Sequence, residues 1–154
     1  MIRIQSENEL LQMFRPIDRD QVRVPSDFQF PVAVVDYLAW VEPSGHRTFL
    51  VYEDQASHDG RGVVFRRSHP PAEPVTNMCE WCHSVSGSGT IGLLSVSVNA
   101  KRRVGLNLCR GLECKANVEA EPPGLHDLRE SLSIGEKTSR IMTRMTEFAR
   151  RNLF

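Results

Sequence analysis

No stretch of this chain approaches the ~18–20 consecutive apolar residues that a membrane-spanning helix needs. Its start, Met1-Ile-Arg-Ile-Gln-Ser-Glu-Asn-Glu, is too polar to hold the apolar core of a secretory signal. Those two absences lead to the expectation of a cytosolic protein. Net charge is also missing, since 19 Lys and Arg balance 19 Asp and Glu, far from the strongly basic make-up of a dedicated nucleic-acid binder. There is no G-x-G-x-x-G, P-loop, H-E-x-x-H or G-x-S-x-G. His46, His58, His69 and His126 are scattered among turns and charged segments, and none pairs with a carboxylate at catalytic spacing. The expectation is a protein that binds rather than catalyses. At 154 residues the length suits one domain, or one domain with a small appendage.

Cysteine is scarce too, and the four present are paired: Cys79-Glu-Trp-Cys82 and Cys109-Arg-Gly-Leu-Glu-Cys114. Two clips of spacing C-x2-C and C-x4-C supply four soft ligands, enough to close a tetrahedral Zn²⁺ site with bonds near ~2.3 Å and leave no position open for a substrate. Three rivals explain less. Cys79-Glu-Trp-Cys82-His83 matches the c-type haem pattern, but that attachment normally requires export and leaves Cys109 and Cys114 without a role. A thioredoxin-like C-x-x-C needs a βαβ setting, and a Ser/Gly-rich turn follows Cys82 instead. Plain disulfides are disfavoured by a reducing compartment. His83 adjoins the site, as a ligand, as a hydrogen-bond donor to a ligand or as a solvent-facing knuckle residue.

The charge that cancels overall is unevenly spread. Residues 1–74 carry 8 Lys and Arg against 11 Asp and Glu, a balance of −3, and residues 75–154 carry 11 against 8, a balance of +3. The metal-bearing half is therefore the better candidate for an anionic partner. Along the chain, Ser6 and Glu9 make a capping box for a short helix over 6–14 with Leu10, Leu11 and Phe14 on its apolar face, and Pro16 stops it. Residues 17–31 read as irregular. Val34–Val41, Thr48–Glu53 and Gly62–Arg67 read as an antiparallel meander, although the apolar run 32–41 also fits a short buried helix. A proline-stiffened connector over 68–75 leads to the metal half. There a flexible turn over 84–89 precedes strands Thr90–Val98 and Val104–Leu108, which form a hairpin between the clips. A helix is expected from Cys109 to about Glu121, where Pro122-Pro123 stops it, so that the second clip spans about one helical turn. The tail from Glu136 carries Ile141, Met145, Phe148 and Ala149 at helical spacing, with Arg140, Arg144, Arg150 and Arg151 largely on a solvated face.

Knuckle, hairpin and a second pair opening a helix are the layout of a treble clef. Met78-Cys-Glu-Trp-Cys-His83, Leu108-Cys-Arg-Gly-Leu-Glu-Cys-Lys-Ala-Asn-Val118 and the terminal Phe148-Ala-Arg-Arg-Asn-Leu153 resemble the FBP-type treble-clef zinc-finger domain, the C-terminal domain of the FusB family. The resemblance implies a bacterial cytosolic protein of α+β class. It has an antiparallel meander plus a treble-clef finger, and it docks on elongation factor G through the zinc domain. In FusB-type members this frees the factor from ribosomes stalled by fusidic acid. Residues 1–31 then form an N-terminal helix and irregular segment. Residues 32–154 form the FBP-type domain, with the finger at 76–121 and a C-terminal helix at 136–153. The family's FusB-type members place a histidine ligand where this chain has Asn107, so Cys82 supplies the fourth ligand here. Their N-terminal helical part is also longer than the segment before the meander here.

Candidate partner contacts are Lys101, Arg102 and Arg103, which crown the hairpin turn, and Trp81 inside the knuckle, either an exposed aromatic anchor or packed under the finger. Two other functions fit the same residues. One is a zinc module contacting RNA or the ribosome directly through Lys101–Arg103 and the C-terminal arginines. The other is a zinc–thiolate redox sensor.

Overall fold

The computed structural model describes residues 1–69, 73, 75–86, 89–120 and 132–154. Nine strands, three α-helices and a 3-10 turn (Arg19–Gln21) lie among them. The strands are β1 (Ile2–Ile4), β2 (Val32–Val34), β3 (Tyr37–Val41), β4 (Arg47–Glu53), β5 (Gly60–Arg67), β6 (Asn77–Met78), β7 (Val85–Ser86), β8 (Ile91–Asn99) and β9 (Arg102–Cys109). The helices are α1 (Glu7–Gln12), α2 (Cys114–Ala120) and α3 (Ile134–Asn152).

The meander and the hairpin form one antiparallel sheet in the order β3-β4-β5-β8-β9. The join is short: Arg66 pairs with Ser95 and Arg67 with Leu94. The central strand β4 is buried at every position from Thr48 to Tyr52. Successive strand side chains face opposite ways, so burial without alternation means that both faces are covered. Leu50 and Tyr52 belong to a core with Phe65, Leu94, Trp81, the four cysteines, Val118, Ile141 and Met145. Phe49 and Val51 belong to a second core with Ile4, Leu10, Phe14, Val34 and Trp40.

The second core is built by the N-terminal segment. Ser6 caps α1 by accepting from Glu9 N at 3.2 Å, and Glu9 Oε2 accepts from Gln5 N, so the capping box reaches one residue further back than its usual return bond. Phe14 lies edge-on to Trp40, which also packs Phe28 and Phe49 at centroid distances of 5.2 and 5.4 Å. Trp40 Nε1 donates to Arg23 O at 2.8 Å, which ties down a stretch without regular strand or α-helix. Gly62 is required here: a Cβ on it would stand 2.6 Å from the Phe14 ring.

The expected strand over 34–41 is broken. Asp36 adopts a left-handed conformation (φ 65°), so Val32–Val34 leaves the meander and pairs with Ile2–Ile4 instead. Asp tolerates that region because its short polar side chain bonds locally. The strand Ile2–Ile4 has no signal in sequence beyond its β-branched residues. Part of the proline connector, the tip of the 84–89 turn and the Pro122-Pro123 stop lie outside the described residues. The remainder of that turn is ordered as β7, paired with β6.

Candidate metal centre and partner surface

Each clip is a turn with one residue in the left-handed region: His83 (φ 62°) directly after Cys82, and Leu112 (φ 57°) between Cys109 and Cys114. Backbone hydrogen bonds close these turns. Cys79 N donates to Ser84 O, His83 N to Cys79 O and Leu112 N to Cys109 O, each at 2.9 Å. The second clip differs from the expected helical turn. Cys109 closes β9, residues 110–113 form the turn, and only Cys114 lies on α2. An i,i+5 pair on a helix faces different sides; a strand end and a helix start, joined by a tight turn, present both sulfurs to one point.

All four sulfurs lie within 4.8 Å of one another and are buried. Cys79–Cys114 and Cys82–Cys109 are each 3.6 Å apart, and no disulfide forms. A tetrahedron of Zn–S bonds of ~2.3 Å sets its sulfurs about 3.8 Å apart, so the cluster already has the right size. Its charge needs a cation as well. Cys79 and Cys82 are held below the ordinary thiol value by hydrogen bonds from Cys109 and Cys114. Cys109, although lowered by Cys114, is on balance pushed up by Cys79 and Cys82, and Cys114 is pushed up by all three. Four thiols this close cannot all ionise by themselves, and a divalent ion at their centre removes the conflict. The protein holds one structural zinc in this site.

A further layer orients the ligands. Asn117 Nδ2 donates to Cys109 Sγ at 3.3 Å, and the Ser84 hydroxyl lies 3.2 Å from Cys82 Sγ. Sequence reasoning missed Asn117. Its only signal is an Asn inside a helix, three residues after a ligand, where the residue type is a poor helix former. Tyr37 from β3 receives Lys115 N at 2.9 Å and donates to Leu112 O at 2.6 Å, so its hydroxyl serves the start of α2 and the turn together. Burial, then the nearby Cys114 charge, pushes that phenol well above its usual value. Lys115 Nζ meets Asp36 Oδ2 at 2.8 Å, which gives the left-handed Asp36 a use.

Arg140 and Arg144 of α3 turn to the knuckle rather than to solvent, while Arg150 and Arg151 stay exposed. Arg140 donates to Cys82 O at 3.2 Å, Arg144 to Glu80 O and to His83 Nε2, the latter at 2.6 Å, and Arg150 grips Asp54 with two bonds of 3.1 Å. Arg151 remains exposed. His83 points toward Arg144 and is outside the cluster of candidate metal ligands. Asn107, at the position of the family's histidine, is exposed on β9 and pairs with the knuckle by its backbone: Glu80 N donates to Asn107 O, and Asn107 N donates to Glu80 Oε2.

Trp81 corrects one expectation. It is 2 % exposed and packs between Phe65 and Phe148, at 6.0 and 6.2 Å, locking knuckle to sheet and α3. It is not a surface anchor, because the finger is too small to bury its own apolar side and uses the indole for that. The exposed large apolar residues of the finger among the described residues are Leu93 on β8 and the directly opposed β6–β7 pair Met78 and Val85, each about half exposed. Met78 edges a groove of about 310 Å³ with Leu106, Phe148, Glu80 and Arg144. Lys101, Arg102 and Arg103 are exposed at the β8–β9 turn as expected, with Asn99 Oδ1 accepting from Lys101 N and Arg102 N. Among the described histidines, His46, His58 and His69 are exposed, and His58 makes a surface contact of 3.1 Å with Glu53.

Residues 11–151 match the model of the FBP C-terminal treble-clef zinc-finger. The chain belongs to that family. Among solved structures it is similar to the fusidic acid resistance protein FusC, at 19% identity and a TM-score of 0.50. The likeness covers 73% of this chain and 52% of that one, so this chain spans about half the length of FusC, and at this identity the likeness concerns the fold. No curated protein sequence matches. No helix among the described residues is long and apolar enough to cross a membrane.

Proposed function

We propose that this protein is a non-catalytic binding protein of the translation apparatus and that elongation factor G is its partner, held at the zinc finger. The observation that carries this is a metal centre with four buried thiolate ligands beside an exposed apolar pair, Met78 and Val85. A closed site offers no coordination position to a substrate, so the finger's chemical role is to hold a surface. That surface has the parts of a protein interface, an apolar centre with a charged rim. Met78, Val85 and Leu106 supply the centre, and Glu80, Arg144 and Arg151 the rim. Lys101–Arg103 adds a second, basic contact. Membership of the FBP family and the fold shared with a fusidic acid resistance protein give the direction toward the translation factor. The proposal stops at binding, and resistance is a separate phenotype to be measured.

The test is titration of purified elongation factor G with the zinc-loaded protein. Binding at micromolar concentrations or tighter is expected. Met78→Ser with Val85→Ser should speed dissociation, and neutralising Lys101, Arg102 and Arg103 should slow association and flatten its salt dependence. Zinc content must stay unchanged in both. Absence of binding by the wild-type protein at micromolar concentrations overturns the reading.

A further inference from the structure

The finger and α3 cover one face of the sheet, and the N-terminal segment covers only part of the other. Register fixes what is left uncovered. Arg47 pairs with Arg66, Arg66 with Ser95, and Ser97 with Arg103, and directly paired residues share a face. Arg66 follows Phe65, whose ring packs on Trp81 beneath the finger, so the Arg66 side chain lies on the far face. The row runs along a groove of about 940 Å³, walled on one side by Asp18 and Gln21 of the N-terminal segment. Arg67 edges the groove at the sheet's end, but it pairs with Leu94 of the finger-side core, so its side chain leaves toward the other face.

The groove's chemistry is one-sided. Three arginines of the row, Arg47, Arg66 and Arg103, face a single lining carboxylate, Asp18, which Arg15 already holds at 2.7 and 3.3 Å. Arg47 is partly engaged by Glu42 at 3.2 Å, and Arg103 touches Ser95 Oγ. The Arg66 side chain is exposed and makes no hydrogen bond or ion pair among the described residues. Val64 is the single apolar residue among the described lining, and the rings in that lining are the imidazoles of His46 and His69, both exposed.

We infer that this groove binds the phosphodiester backbone of a nucleic acid. Guanidinium forks and the hydroxyls of Ser95 and Ser97 suit phosphate oxygens. A protein partner would need an apolar centre, which the described lining lacks, and the His46 and His69 rings give sequence-tolerant stacking at most. Binding is therefore to backbone and independent of sequence. It uses the face opposite the finger and does not rest on the identity of the protein partner.

The test is fluorescence anisotropy of a labelled oligouridine and the matching oligothymidine across a salt series, with zinc-loaded protein. Binding of either strand that weakens steeply with salt is expected. Arg47→Gln with Arg66→Gln should weaken it and lower the log–log salt slope by about 1.4, at ~0.7 per lost phosphate contact. Lys101→Gln with Arg102→Gln, outside the groove, should leave the slope unchanged. Zinc content and melting temperature verify folding. If the double variant is misfolded, Arg66→Gln alone carries the test with about half that change in slope. The inference is overturned if neither strand binds, if the groove variant binds like wild type, or if polyglutamate displaces the strands as well as unlabelled oligonucleotide does.

Discussion

Single side chains divide cleanly into those that hold metal, those that orient its ligands and those that fill space beneath it. Serine at Cys79, Cys82, Cys109 or Cys114 should abolish stoichiometric zinc and lower thermal stability together, as read by elemental analysis and a melting curve. Structural zinc in small fingers contributes on the order of 10–16 kcal/mol, more than a typical domain can lose. Asn117→Ala should keep one zinc per chain but weaken its affinity by roughly 10–100-fold in a chelator competition, because Cys109 loses the amide that orients it. Trp81→Ala should cost about 3–5 kcal/mol of unfolding free energy in denaturant titration, the penalty of an emptied aromatic site. A variant of unchanged stability would contradict the packing of Phe65, Trp81 and Phe148.

Elements are joined by charged clamps rather than by apolar contact alone. Helix α3 buries Ile141, Met142, Met145 and Ala149, and its arginines then bolt it to the knuckle and to the end of β4. The clamp at Asp54 is pH-dependent. Burial opposes its ionisation, but N–H groups of Ser57 and Ala56 and the Arg150 guanidinium outweigh that and hold the carboxyl below its usual value. A carboxyl depressed in the folded state stabilises above its unfolded value of about 4 and loses that contribution as pH falls through the folded value. Asp54→Asn should therefore destabilise at neutral pH by roughly 1.5–3 kcal/mol, the range for bonds to a charged group. The gap from wild type should close as the medium is acidified below about pH 4. Thermal melts at a series of pH values check both halves of that statement.

Across the whole molecule, one sheet carries two cores. Strand β4 has both faces buried, so its amides should exchange slowest in hydrogen–deuterium exchange, at rates set by global unfolding. Stripping the zinc with a chelator should speed exchange most in the finger and α3, whose core includes the cysteines. The Phe14–Trp40–Phe49 core, which contains no cysteine, should respond less. Equal acceleration everywhere would mean that the two cores unfold as one unit.

The cysteine spacing by itself determined the metal, its four ligands and the treble-clef layout, because a thiolate clip is a local object whose chemistry is written in a few adjacent residues. Periodicity likewise determined α1, α3 and the meander, with Ser6 and Glu9 marking a helix start that the structure keeps. What required the tertiary structure was everything decided by contact between distant segments. Val32–Val34 left the meander because Asp36 turns left-handed and Ile2–Ile4 offers a partner thirty residues away. Trp81 went inside because Phe65 and Phe148 converge on it, and Arg140 and Arg144 turned from solvent to knuckle because α3 packs beside it. Charge shows the limit most plainly. The half of the chain with a balance of −3 supplies Arg47 and Arg66 to the basic groove, since a sum along the sequence says nothing about which strands lie side by side.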